Sequence, residues 1–206
     1  YNKLTSYGLM PTLPALGKLA RLSTLRLAGN QISNKGATAL AARLRENGAL
    51  RVLDLSHNKF GDAAIASLAT LVQARANMSL DVSHNRISLT GVETLMRALT
   101  VSMMTGGSMD ALNVASNAFG NKGAAAIADA LAQNAPIATL DVSGNKLGES
   151  AGVAFGNVLG KSRALLALSL ASNALGRRGW RARWSTWRSR QATGSCSTRS
   201  AAPAGC

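Results

Sequence analysis

Two aspartates and two histidines recur at matching places in the chain and have side chains suited to chemistry. Asp54 and Asp81 each stand inside a short apolar segment, and His57 and His84 follow them three residues later. A pair of carboxylates could act in general acid/base catalysis, and two imidazoles with two carboxylates contain the donor atoms of a zinc site. Neighbouring strands project such side chains in parallel, however, and no nucleophile accompanies them. We therefore predict no catalytic residue, no metal site and no cofactor.

These residues belong to a unit that recurs through most of the chain. The unit at residues 22–48 begins with leucines at alternate positions, passes through an asparagine and ends in an alanine-rich segment. The strand period predicts that Leu25 and Leu27 point into a core, while Arg26 between them points outward. In the next unit Asp54 takes the outward place of Arg26.

An asparagine follows each predicted strand where the chain bends. A buried bend leaves backbone groups without partners, and an amide side chain offers two donors and an acceptor. We therefore predict a structural spine of stacked asparagines, Asn30, Asn58, Asn85, Asn117, Asn145 and Asn173. Their spacings are 28, 27, 32, 28 and 28 residues. The longest spacing contains residues 101–109, where we expect an enlarged turn and local irregularity.

The second half of each unit has helical periodicity. One apolar stripe is formed by Ala37, Leu40, Ala41 and Leu44, and a later unit repeats it with Ala124, Ile127, Ala128 and Leu131. Gly36 is expected to precede the first of these helices. The small alanines would let neighbouring helices approach closely.

Leu-x-x-Leu-x-Leu-x-x-Asn with this period is the leucine-rich-repeat pattern. It predicts an α/β fold, a right-handed horseshoe-shaped solenoid with a parallel concave sheet and outer helices. Residues 1–179 would form this domain, with six units and a partial N-terminal one, and residues 180–206 would form a separate tail. Because the sequence starts inside a unit, we expect it to be a fragment.

Composition and charge separate the repeats from the tail. The chain is 47% hydrophobic but only 4% aromatic, so leucine and alanine must fill the core. Residues 1–176 contain 16 of the 23 basic residues and all nine acidic ones, giving +7, while residues 177–206 add seven Arg. No apolar run approaches the roughly 18 residues of a membrane span. Cys196 and Cys206 lie in the tail, so no disulfide framework crosses the repeats.

The tail departs from the repeat pattern and allows several interpretations. Trp180, Trp184 and Trp187 would share one face of a helix, surrounded by arginines. Such a segment could bind an anionic membrane surface or nucleic acid. It could also cap the exposed end of the solenoid, be disordered, or be a non-native read of a GC-rich gene.

Ligands of repeat solenoids usually occupy the concave strand face. The outward positions of the predicted strands therefore define the candidate binding residues. They are Thr24, Arg26, Val52, Asp54, Ser56, Ser79, Asp81, Asn113, Thr139, Asp141 and Ser169. This mildly acidic face would suit a basic or partly amphipathic protein partner.

The period of 28 with a full helix resembles the ribonuclease-inhibitor type of leucine-rich repeat. The segments GATALA, residues 36–41, and GAAAIA, residues 123–128, resemble the GALA-type repeats of type III effectors from plant-pathogenic bacteria. The resemblance implies a virulence protein that is secreted into the host cell cytoplasm and binds a host protein with its repeats. We expect this chain to be monomeric and non-catalytic. A protein retained in the bacterial cytoplasm is the alternative.

Two further functional alternatives follow from that resemblance and from the tail. GALA proteins recruit the plant ubiquitin-ligase machinery through an F-box, and other effectors carry their own ligase domain. Neither is found in this sequence, so the chain would be the substrate-recognition part of such a ligase. Nucleic-acid or anionic-membrane binding through the basic tail is the other alternative. Ran GTPase-activating proteins share the repeat type, but no motif here supports that activity.

Overall fold

The computed structural model describes residues 2–73 and 75–176, in which strands and helices alternate. The strands are β1 Thr24–Arg26, β2 Val52–Asp54, β3 Met78–Asp81, β4 Met109–Asn113, β5 Ile137–Asp141 and β6 Ala167–Ser169. The α-helices are α1 Ser6–Leu9, α2 Leu13–Lys18, α3 Asn34–Leu44, α4 Asp62–Gln73, α5 Leu89–Ser102, α6 Gly120–Ala132 and α7 Glu149–Leu159. Single 3₁₀ turns occupy Met10–Thr12 and Met103–Thr105.

The six strands form one parallel sheet in chain order, β1-β2-β3-β4-β5-β6. Each strand is joined to the next by a helix, which covers one face of the sheet and leaves the other open. This arrangement confirms the predicted α/β solenoid. We call one strand, its bend and its helix a coil.

The core lies between the sheet and the helices, as the sequence periods predict. In the second coil Leu53 and Leu55 are fully buried, and the alanine and leucine stripes of α3 and α6 are buried as well. Leu25 in β1 and Leu27 directly after β1 are only half-buried, because β1 is the edge strand and has a strand neighbour on one side alone.

Each bend contains a residue in the left-handed region of backbone conformation. The φ angles are +67° at Gly29, +53° at His57, +51° at His84, +54° at Ser116, +66° at Gly144 and +53° at Ser172. Glycine adopts this region without steric cost, whereas serine and histidine do so with some strain. The bend therefore has the same shape in every coil, although its residue type varies.

The predicted irregularity between the third and fourth coils is confirmed. Asp110 is an extra residue in β4, so that Met78 pairs with Met109 while Ser79 pairs with Ala111. The 3₁₀ turn after α5 ends at Gly106, whose φ is +74°. This enlarged turn also exposes 84% of Met104.

Gly36 lies inside α3 rather than before it, which corrects the predicted boundary. The helix begins at Asn34. A Cβ on Gly36 would come within 2.6 Å of Ser6 Oγ and 2.9 Å of Ser6 Cβ in the preceding coil. The glycine is therefore needed for close packing between coils. Within the described residues, no helix is long and apolar enough to cross a membrane.

Candidate functional site

The predicted binding residues line up across the concave face. Strand pairing places the central positions opposite one another in the order Arg26, Asp54, Asp81, Asn113, Asp141, Ser169. A second row contains Thr24, Val52, Ser79, Ala111, Thr139 and Ala167. The bulge at Asp110 is accommodated before the rows continue, so it does not displace them. A binding role for these residues stays a prediction.

The aspartates of the central row are bonded to their own backbone. Asp54 Oδ1 accepts hydrogen bonds from Ser56 N at 3.0 Å and Ser56 Oγ at 2.7 Å. Asp81 and Asp141 each accept one from the backbone N–H two residues later, at 2.9 and 2.8 Å. Asn113 makes the same contact with Ala115 N at 3.0 Å. These bonds fix each side chain where its strand ends.

Ser56 is only 7% exposed, so it contributes less to the open face than the sequence suggests. The three aspartates are half-buried. Asp81 Oδ2 is further engaged by Asn113 Nδ2 at 2.8 Å. In the described part of the chain, neither Asp54 nor Asp141 accepts such a hydrogen bond from a side chain on a neighbouring strand.

Asp54 and Asp81 are opposite one another, as expected, and the two histidines stack beside them. The ring centroids of His57 and His84 are 3.9 Å apart, and their planes differ by 11°. Ring nitrogens on parallel stacked rings do not converge on a single point, as metal coordination requires. Among residues 2–73 and 75–176, no group of three or more ligand side chains is placed to hold a metal ion.

The asparagine spine forms as predicted and connects neighbouring coils. Asn145 Nδ2 donates to the carbonyls of Val142 and Ser143 in its own coil and of Val114 in the preceding one, at 3.0 to 3.1 Å. Its Oδ1 accepts from the N–H groups of Asn117 and Ala118, at 2.8 and 3.0 Å. The spine therefore satisfies the bend of one coil and the strand end of its neighbour.

Asn85 is an exception in this spine. Its Nδ2 makes the usual three bonds, to the carbonyls of Leu55, Val82 and Ser83. Its buried Oδ1, however, has no hydrogen-bond partner. The second and third coils are therefore joined without the hydrogen bonds that Oδ1 makes elsewhere in the spine. These two coils also have the shortest spacing between spine asparagines, 27 residues.

A second polar ladder connects the starts of the helices, and sequence reasoning missed it. Asn34 Oδ1 accepts from Gly61 N at 2.7 Å, and Asn121 Oδ1 accepts from Gly148 N at 2.6 Å. Asp62 Oδ1 accepts from Ser88 N at 2.8 Å. These acceptors stand four residues after a spine asparagine. That regular offset is visible in the sequence and could have revealed them.

Arg75 is a buried cation that the sequence did not single out. It is 7% exposed and donates from Nη2 to Leu44 O at 2.6 Å, at the C-terminal end of α3. Burial lowers the pKa of Arg75, and repulsion from Arg51 lowers it further. A cation is favourable beside the carbonyls of a helix C-terminus. Its role is therefore to cap α3 from the following coil.

Comparisons with known proteins agree with this architecture. The sequence matches the family described as Leucine Rich repeat over residues 21–41, 49–69, 78–96 and 108–128. No curated protein sequence matches the chain.

Two solved structures are similar to this chain at low sequence identity. Leiomodin-1 actin-binding site 2 is 15% identical, with a TM-score of 0.54 and coverage of 89% of this chain and 88% of that one. An internalin from Listeria monocytogenes is 21% identical, with a TM-score of 0.48 and coverage of 81% of this chain and 46% of that one. At 15% identity the likeness to the leiomodin-1 domain concerns the fold alone. The four matched segments are leucine-rich repeats, and the stacked coils of the described residues have the architecture of a leucine-rich-repeat solenoid.

Proposed function

We propose that this protein is an interaction module that binds a protein partner through its concave face. The observation that carries the proposal is the central row, where Asp54, Asp81 and Asp141 occupy equivalent places on one sheet. Only Arg26 opposes their charge within that row. A partner that presents basic side chains at successive strands would complement this face.

Preorganisation supports this assignment. A side chain that is ordered only on binding loses rotamer freedom, which weakens the complex. The backbone N–H of Ser56, Ser83 or Ser143 already holds each aspartate through Oδ1. The aspartate side chains of the concave face should therefore lose little rotamer freedom on binding. Leiomodin-1 actin-binding site 2, by its name, binds a protein with a domain of this architecture, which is a precedent for the class of partner only.

Replacing the three aspartates with asparagine would test the proposal. Asn113 already holds the same turn through its amide oxygen, so Asp54→Asn and Asp141→Asn should remove charge and preserve structure. Asp81→Asn should keep its turn as well but lose the hydrogen bond from Asn113 Nδ2. If each carboxylate contributes about 1 kcal/mol, we expect partner binding to weaken about 100-fold. Affinity capture with quantitative mass spectrometry would identify the partners, and titration calorimetry would measure the change.

The matched control removes three negative charges from the outer side. Glu46→Gln, Glu93→Gln and Asp129→Asn alter exposed side chains at or near the helices. Partner binding should remain within about twofold of the parent protein. Equal losses in both variants, or retention of the partners by the concave-face variant, would contradict the proposal.

We also propose a biological setting, which rests on the resemblance of residues 36–41 and 123–128 to GALA-type repeats. In that setting the protein is the repeat region of a type III effector, acts in the host cytoplasm, and selects substrates for a ubiquitin ligase. A translocation reporter fused to the protein tests the setting, and a signal independent of type III secretion would contradict it. The Trp/Arg tail, and with it the alternative of nucleic-acid or membrane binding, lies outside the described residues.

A further inference from the structure

The rim where the strands end and the helices begin carries one exposed cation in each of six successive coils. We call it the strand-end rim, and its cations are Lys3, Lys35, Lys59, Arg86, Lys122 and Lys146. Four of them directly follow an asparagine of the repeat. The other two, Lys35 and Lys122, stand five residues after a spine asparagine, in coils where Gln31 and Ala118 take the first place. Each of these six coils therefore carries one cation of the rim, at one of two positions: directly after the asparagine or five residues after it.

Few negative charges balance this rim. Asp62 lies on it, but both carboxylate oxygens accept hydrogen bonds from Ser88. Glu149, the first residue of α7, is the other acid there. Across residues 2–73 and 75–176 the one ion pair joins Arg43 and Glu46, at the opposite end of α3. The cations of the strand-end rim therefore have no acidic partner within the described chain.

The backbone beneath these cations is fixed by bonds between coils. Gln31 N donates to Leu4 O, Lys59 N to Ile32 O, and Arg86 N to Phe60 O, each at 2.9 Å. Lys59 Nζ lies 3.0 Å from Gln31 Oε1. The cations thus form a stripe along a rigid edge rather than a set of charges on mobile loops.

The spacing of the stripe suits an extended chain. Neighbouring coils are about 4.8 Å apart in a sheet and about 10 Å apart where helices pack, and this rim lies between the two layers. Side chains on one side of an extended peptide recur about every 6.6 Å. An acidic peptide could therefore meet successive coils with alternate residues.

Two features favour a polypeptide over nucleic acid. Five of the six cations are lysines, which lack the planar fork that matches phosphate. Within the described residues, the one cation–π contact of these cations is between Lys35 Nζ and the ring of Tyr7, at 5.5 Å, whereas single-stranded nucleic acid is typically held by several stacking rings. We propose that the strand-end rim binds an extended acidic segment of a protein partner.

Binding of a labelled deca-glutamate peptide to the full chain would test this. The variant Lys35→Glu/Lys59→Glu/Arg86→Glu reverses three central cations of the rim, and we expect it to bind the peptide at least about tenfold more weakly in about 150 mM salt. The charge-matched control, Arg21→Glu/Lys161→Glu/Arg163→Glu, alters exposed turn residues at the opposite edge. It should remain within about twofold of the parent. The arginines of the tail are identical in all three proteins, so their background cancels.

Several outcomes would overturn the inference. Equal weakening by both variants would indicate binding by net charge alone. Unchanged peptide binding by the rim variant would also exclude it, as would rim dependence seen only with oligo-dT or with phosphatidylserine vesicles. If circular dichroism shows the charge-reversal variant unfolded, the glutamine versions at the same three positions take its place. The concave-face variant should retain peptide binding, so this result and that of the proposed function can fail separately.

Discussion

At the scale of the residue, an outward-facing polar side chain in this sheet has both a structural and a surface role. Asp54 carries charge on the concave face and also closes the turn at the end of β2 through Ser56. Alternation along a strand predicts the direction of such a side chain. It does not predict that one oxygen is bonded to the backbone, because that depends on the bend that follows.

The spine asparagines allow a comparison between a complete and an incomplete set of hydrogen bonds. Asn145 is fully buried and uses both its Nδ2 and its Oδ1, whereas the Oδ1 of Asn85 has no partner. Asn145→Ala leaves buried donors and acceptors unpaired, and we expect a loss of about 3 kcal/mol or more of unfolding free energy. Asn85→Ala should cost at least about 1 kcal/mol less. Urea unfolding followed by circular dichroism would measure both, and equal losses would contradict this explanation.

At the scale of the element, the packing of each coil depends on how closely the next coil approaches it. The sequence predicted the strands, helix stripes and spine, because these features repeat with the coil. Arg75 was missed because Asn47, which bonds the preceding coil's Leu19 carbonyl from the corresponding loop, is of another residue type. The unpaired oxygen of Asn85 depends on the fit between two coils, which no local pattern records.

Gly61 tests this close approach. A Cβ there would lie 2.7 Å from Arg86 O in the next coil, so Gly61→Ala must push two backbones apart. We expect it to lower the unfolding free energy by about 1–3 kcal/mol.

Gly48 provides the matched control, because nothing lies within 4 Å of the position its Cβ would occupy. Gly48→Ala should be neutral or stabilise the protein by up to about 1 kcal/mol, since it reduces the freedom of the unfolded chain. Similar urea midpoints for the two variants would show that the contact with Arg86 is not limiting.

At the scale of the whole molecule, charge is separated by surface. Aspartates occupy the central row of the concave face and cations the strand-end rim, while the chain carries a net charge of +14. The composition alone gives the excess of positive charge. Its distribution between the concave face and the strand-end rim could be seen only once the structure showed how the coils stack.

Repulsion among the excess positive charges should make the stability of the protein depend on salt concentration. We expect the urea midpoint to rise as sodium chloride increases from about 10 to about 150 mM, because ions screen like charges over about a Debye length. The rim variant Lys35→Glu/Lys59→Glu/Arg86→Glu has six fewer positive charge units and should show a shallower rise. A midpoint that falls with salt would mean that attractive pairs dominate.

The asparagine spine also has an evolutionary consequence. In the described structure each spine side chain bonds its own coil and the preceding one, so a duplicated stretch of one period could be inserted without disturbing distant contacts. Such a duplication would lengthen the concave row and the strand-end rim together, by one position each. Gene duplication could therefore adjust the reach of both surfaces in whole steps.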